Sequence, residues 1–225
     1  KNGFGNSSKE VSDSLLWTNG SFVSAALYAI ENKVNTVSPT SGFHHAEHHR
    51  GGGFCTFNGL ALAAVLLKNK GLVNKVAIAD IDMHYGNGTD DIIDKLSIDY
   101  ISHYTFGQHI GNFENLPRFV GENYDPKDTF GQAYIKVLPG VISSLIEDAD
   151  ILFYQAGADP HLNDPYGGLL STEDLKERDR IVFTLAKEKG IPVVWNLAGG
   201  YQEDISDILE IHNNTALMHQ EIFGE

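Results

Sequence analysis

The amino-acid sequence predicts an α/β fold in which a parallel sheet is covered by helices on both faces. Two observations carry that expectation. About five short apolar segments alternate along the chain with longer helical ones, and strands buried on both faces read as continuous apolar runs. The composition agrees: 42% of the 225 residues are apolar, enough for a packed core, and 23 Gly with 7 Pro is ordinary for this class. No stretch has linker composition, so residues 1–225 are read as a single domain.

Taken in order, Ser21 to Asn32 is an amphipathic helix with Phe22, Ala25, Ala26 and Ala29 on one face. Val34 to Val37 is a short strand, and Ser38 to Phe54, rich in Gly, His and Ser, is a loop. Asn58 to Lys70 is an Ala/Leu-rich helix closed by Gly71. Lys75 to Ile81 is a buried strand whose polar residues arrive only at its C-terminal end. Thr89 to Leu96 is a short helix, Asp99 to His103 a further strand, and residues 104–127 are irregular. Phe130 to Asp148 is a helix that Pro139-Gly140 is expected to kink or interrupt. Asp150 to Gln155 is a strand, Thr172 to Lys189 a helix, Ile191 to Leu197 a strand, and Asp204 to Phe223 a closing helix.

In such sheets ligands sit beyond the C-terminal strand ends, and that is where the reactive residue types gather. His44, His45 and Gly51-Gly52-Gly53 follow the first strand, and the second ends in Asp80-Ile81-Asp82-Met83-His84. Gly157-Ala158-Asp159 and Gly199-Gly200-Tyr201 follow two later strands. In extended chain Asp80, Asp82 and His84 share one face, and two carboxylates so placed repel unless a cation sits near them. Asp82 and His84 can supply two metal ligands, and Asp159 is the best third. Three N/O ligands leave a position open for water and substrate, the pattern of a catalytic zinc site; the same donors suit ferrous iron. Read alone, Asp-x-Asp-x-His would also suit a solvated turn or a helix N-cap cluster. His44 and His45 are either polar loop residues or groups that the nearby glycines let approach a ligand. His48 and His49 are read as surface residues. Tyr201 is either a core aromatic at a turn or a hydroxyl donor to a developing oxyanion.

Sixteen Lys and Arg against 30 Asp and Glu give a net charge of -14, which counts against nucleic acid as a direct partner. Cys55 is the only cysteine, so there is no intrachain disulfide, in keeping with a reducing cytoplasm. No apolar run approaches the ~18 residues of a membrane span, and the polar start Lys1-Asn2-Gly3-Phe4 lacks a signal-peptide core. A cytoplasmic protein away from membranes is the expectation.

Taken together, His44-His45, Gly53-Phe54-Cys55, Asp80-x-Asp82-x-His84-x-Gly86-Asn87-Gly88-Thr89, Gly157-Ala158-Asp159 and Gly199-Gly200-Tyr201 resemble the histone deacetylase superfamily. That superfamily includes the acetylpolyamine amidohydrolases and bacterial acetoin-utilisation-type members. The likeness runs from about residue 20 to the C-terminus, with the motifs in the family's order. It implies the arginase–deacetylase fold and a zinc-dependent deacetylase acting on acetylated lysine, polyamine or a similar amine. It implies Asp82, His84 and Asp159 as zinc ligands, His45 as general base and His44 as its protonatable electrostatic partner. Asp80 matches the position that pairs with the first histidine and helps bind a structural potassium ion, and Asn87 the one that orients the second. Tyr201 matches the carbonyl-polarising tyrosine. Gly53 and Phe54 match the lining and one wall of the acyl-lysine tunnel, and Phe106 is assigned as the second wall.

The sequence departs from the family in three places. The family usually carries an opening strand and rim loops before the point where this chain starts, so the chain is expected to lack them. A sheet edge bared in this way is one that self-association could cover, so a homo-oligomer stays open as a partner state that the sequence does not decide. Tyr104-Thr105-Phe106-Gly107-Gln108-His109-Ile110-Gly111 lacks the Pro-Gly turn usual after the family's tunnel Phe. Asn87 stands where some members have Asp; a neutral partner stabilises imidazolium less, so His45 should stay neutral to somewhat lower pH. Two rivals remain. A manganese ureohydrolase resembling arginase is disfavoured by the Asp-x-Asp-x-His order. A catalytically weak or inactive homologue that binds a ligand or a partner is the other.

Overall fold

The computed structural model of the chain describes residues 2–110, 125 and 127–224. Its elements run α1 (Lys9–Asn32), β1 (Thr36–Ser38), α2 (Gly59–Asn69), β2 (Val76–Ile81), α3 (Asn87–Lys95), β3 (Ile101–Thr105) and α4 (Phe106–Ile110), followed by α5 (Phe130–Leu145), β4 (Ile151–Ala156), α6 (Thr172–Lys189), β5 (Val193–Leu197) and α7 (Ile205–Phe223). The five strands pair in parallel in the order β1-β5-β4-β2-β3.

Side chains alternate across the two sheet faces, and each face has its own core. Val76, Ile78, Ile151, Phe153 and Val194 pack against Phe22 and Ala26 of α1 and Leu60, Ala64 and Leu67 of α2. Ala77, Ile81, Leu152, Tyr154 and Trp195 pack against Tyr134, Leu138, Val182, Phe183 and Met218 of α5, α6 and α7. Every residue of β2 and β4 is buried, which is why both strands read as apolar runs until Asp80 and Gln155 near their C-terminal ends. The chain leaves β2 through α3, whose Ile93 joins the first face, and leaves β4 through α6 on the second. Two adjacent strands whose connections part to opposite faces open a crevice at their C-terminal ends.

Several expectations are corrected. α1 starts at Lys9, capped by Ser8, whose Oγ accepts from the Val11 amide at 3.2 Å. Its first turns expose Leu16 and Trp17, so they carry no core-facing stripe for periodicity to detect. β1 begins at Thr36 because Lys33 takes a left-handed conformation and the Val34 amide closes the helix on Ala29 O. β3 extends to Thr105 through its pairing with Asp80, and α4 replaces irregular chain from Phe106. Residues 111–124 and 126 of that expected loop lie outside the described residues. Pro139 neither ends nor interrupts α5, which buries Tyr134, Leu138 and Ile142 across it. Helix α6 spans Thr172–Lys189 as expected, with Ser171 as its cap in a reciprocal box with Asp174. Among the described residues no helix is long and apolar enough to cross a membrane.

Candidate active site

Asp82 and His84 follow β2, and Asp159 follows β4, so the crevice between these strands brings them together. Their ligand atoms all lie within 4.8 Å of one another. His84 Nδ1 is 3.1 Å from Asp82 Oδ1 and 2.9 Å from Asp159 Oδ2. Each carboxylate is steadied from the backbone: Asp82 Oδ2 accepts from Gly199 N at 2.7 Å and Asp159 Oδ1 from Met83 N at 2.9 Å. Gly199 has to be glycine, since a Cβ there would collide with both carboxylates. Its carbonyl in turn accepts from the amides of Ala158 and Asp159.

Asp159 is buried, and that burial together with the charge of Asp82 pushes its carboxyl up to about 7. Bonds to Asp159 and Asp82 raise His84 to about 10. Two carboxylates and an imidazole compete here for protons in a space that a single cation would satisfy. The N/O donor set fits a divalent ion such as zinc. A second His/acid grouping among the described residues, Glu47, His49 and Asp91, lies at the surface, where Arg50 already grips Glu47 through both carboxylate oxygens.

The loop after β1 delivers the histidine pair, with ring centroids 4.1 Å apart. His44 Nδ1 lies 2.8 Å from Asp80 Oδ2, and its Nε2 lies 3.8 Å from Asp82 Oδ1. Burial alone would lower His44, but Asp80 and Asp82 outweigh it and raise the ring to about 9. His45 moves the other way, lowered by burial and then by the charge of His44. Its Nδ1 lies 2.6 Å from Asn87 Oδ1. Gly53, at φ 52°, passes so close to the His45 ring that no side chain would fit.

Tyr201 is partly exposed, with its ring 5.8 Å from that of His84. Burial, then the charges of Asp82 and Asp159, hold its hydroxyl well above the usual phenol range. Phe54 keeps an exposed ring beside Phe4 at the mouth. A cavity of about 50 Å³ beside the site is lined by His44, Phe54, Cys55, Asp82, Gln155 and Tyr201, among others. Phe106 is not a tunnel wall. It is fully buried in the core, edge-on to Phe130 and Tyr134, because the backbone turns into α4 directly after β3.

Residues 6–215 match the histone deacetylase domain. The chain belongs to the histone deacetylase family. An uncharacterised protein of Picosynechococcus sp. is 30% identical over 206 residues, covering 89% of this chain and 66% of that protein. Histone deacetylase 2 of Arabidopsis thaliana is 30% identical over 174 residues, covering 75% of this chain and 44% of that one. The chain thus spans less than two thirds of the length of the curated relatives it matches. The crystal structure of acetylpolyamine aminohydrolase from Burkholderia pseudomallei superposes with a TM-score of 0.72 over 92% of this chain and 62% of that one, at 20% identity. That likeness places this histone deacetylase family member in the arginase–deacetylase fold.

Other polar residues around the site were not singled out by sequence. Ser38, Asn196, Gln155 and Thr105 share one register with Asp80 across all five strands, and all five residues are buried. Gln155 Nε2 donates to Asp80 Oδ1 at 2.8 Å. His103 joins Asp90 at 2.7 Å and lies 3.8 Å from Asp80. Tyr166 brings its ring within 5.7 Å of His84 and 5.0 Å of Tyr201. The available signal was a polar residue ending an otherwise apolar strand, which Gln155 and Asn196 both satisfy.

Proposed function

We propose that the chain is a metal-dependent deacetylase, with zinc as its ion, that hydrolyses the acetyl amide of an acetylated amine. One observation carries this reading: the donor set Asp82, His84 and Asp159 adjoins a histidine pair whose two members are pushed in opposite directions. Neighbouring titratable groups driven apart in this way suit an acid and a base working at one pH.

A divalent ion held by those three residues would polarise the acyl oxygen and bring the pKa of water from 15.7 toward ~7. The chain's own groups do the rest. His45, kept neutral, accepts the proton of the attacking water at Nε2. His44, held protonated by Asp80 and Asp82, keeps positive charge beside the oxyanion that develops on the acyl oxygen. Tyr201, its hydroxyl kept protonated, donates to that same oxygen. The C–N bond then breaks, an imidazole of the pair passes a proton to the departing nitrogen, and acetate and the free amine are released. Gln155 and Asp80 fix the His44 ring from behind. The small cavity suits an acetyl group, and Gly53 and Phe54 line the approach. A potassium ion near Asp80 belongs to the same reading and would join His44 and His103 in neutralising that carboxylate.

Metal analysis of the purified protein, paired with assays on N-acetyl-lysine peptides and acetylpolyamines, tests the proposal. One divalent ion per chain and release of acetate are expected. Two ions per chain would favour the ureohydrolase, and binding of acetylated amines by the metal-loaded protein without turnover would favour an inactive homologue.

A further inference from the structure

The role proposed for His45 needs a lone pair on Nε2, and therefore the ring proton on Nδ1. Nδ1 faces the Asn87 side chain at 2.6 Å. An amide, unlike a carboxylate, has two unlike ends. With Oδ1 toward His45 it accepts the Nδ1 proton and leaves Nε2 bare. Turned over, it would present Nδ2, drive the proton to Nε2 and disable the base. An aspartate could not make that error, so this chain has to fix the amide by other means.

The neighbour on the far side of Asn87 does so. Asn87 Nδ2 donates to Glu47 Oε1 at 3.2 Å. A carboxylate only accepts, so a flipped amide would set oxygen against oxygen. Glu47 is itself immobilised: Arg50 donates to its two oxygens from Nε at 2.7 Å and from its terminal nitrogen at 2.8 Å. The Glu47 side chain is 13% exposed while Arg50 is 68% exposed, so the fork closes over the carboxylate from the solvent side. Glu47 lies two residues after His45 in the same loop, and the amides of Gly88 and Thr89 both donate to His44 O. The loop bearing the base and the helix bearing its partner are thus joined at backbone level.

We infer that Glu47 is a positioning residue for His45: its carboxylate fixes the Asn87 amide with Oδ1 toward the ring and so selects the Nδ1–H tautomer. The inference rests on the deacetylase reading for its catalytic consequence and on hydrogen-bond chemistry alone for the tautomer. A swap tests it. Asn87→Asp alone sets two carboxylates face to face and should lower kcat by ~10–100-fold. Glu47→Gln alone lets the amide turn over part of the time and should lower kcat by about 10-fold, the lower end of the range for residues behind a ligand or base. In the Glu47→Gln/Asn87→Asp double variant, the introduced amide donates to the introduced carboxylate, which accepts from His45, so kcat should recover at least about 10-fold over Asn87→Asp. KM should stay within about twofold throughout, because no substrate contact changes. A double variant no better than the product of the single effects overturns the inference.

A second readout needs no turnover. In protein labelled with 15N-histidine, ring nitrogen shifts should report Nδ1–H for His45 in the parent chain and a mixed or Nε2–H tautomer in Glu47→Ala. An unchanged tautomer in Glu47→Ala refutes the inference whatever happens to activity. A Glu47-dependent tautomer in a protein that deacetylates nothing would sustain the inference and sink the deacetylase reading.

Discussion

Tyr201 stands 37% exposed beside His84, with burial and the Asp82 and Asp159 carboxylates keeping its hydroxyl protonated. It touches neither carboxylate in the described contacts, so removing the hydroxyl should separate binding from turnover. Tyr201→Phe is expected to keep its metal and lose ~10²–10³ in kcat, the usual cost of one oxyanion donor; metal content and steady-state rates on the same sample check both halves. Asp159→Ala should behave in the opposite way and lose the metal, because it deletes a proposed ligand and frees the Met83 amide. Zinc retained at one per chain in that variant would remove Asp159 from the donor set. These residues were legible in the sequence because each follows an apolar strand within a few positions. Phe106 was not, since whether an aromatic after a strand faces a pocket or the core depends on the next turn of backbone. Glu47 and Tyr166 reach the site from loops whose paths the sequence does not specify.

Helix α6 shows how an element far from the chemistry aims it. Its Arg178 is fully buried beneath the crevice and donates to Gly157 O at 2.6 Å and Ile81 O at 3.5 Å, the two backbone carbonyls that lead into the strand ends. Asp179, bonded also to Tyr154 Oη and to Thr215 Oγ1, pairs with the guanidinium at 2.8 Å. Arg178→Met fills similar volume but leaves Asp179 charged and unpaired in the core, which should cost about 3–5 kcal/mol. Urea unfolding would measure it, and a loss under about 1 kcal/mol would show the pair to be energetically idle. Such a network is invisible to periodicity, because a helix face that buries Arg and Asp reads as a solvated one. The strands were legible for the opposite reason: buried on both faces, they carry only apolar residues until their C-terminal ends. Short helix α4 and the early turns of α1 lacked any such pattern: the start of α1 is set by its Ser8 cap and α4 begins at a buried Phe106.

At the scale of the whole molecule, both cores share one sheet, so the described elements should unfold in a single transition. The candidate site makes that transition depend on pH. His44, His84 and Asp159 have folded-state values of about 9, 10 and 7, above their unfolded values of roughly 6.5, 6.5 and 3.9. A group whose value is raised by folding stabilises the protein fully below its unfolded value, and that contribution is lost as pH rises through the folded one. His45 and His212, both lowered by burial, oppose this, while His103 is raised as well, so the raised groups outnumber the lowered ones in this range. The metal-stripped protein should therefore lose stability from about pH 5 upward to pH 9, by an amount on the order of 3 kcal/mol for His44 alone. Under the proposed function zinc should reverse the slope, because it would bind the deprotonated ligands and displace the very protons that stabilised the apo site. The rise in Tm on adding saturating zinc should accordingly grow from pH 5 to pH 8, as binding to the native state alone requires. Scanning calorimetry of stripped and loaded protein across that range tests the claim, and a zinc increment that shrinks with pH would show that these carboxylates and imidazoles do not hold the ion.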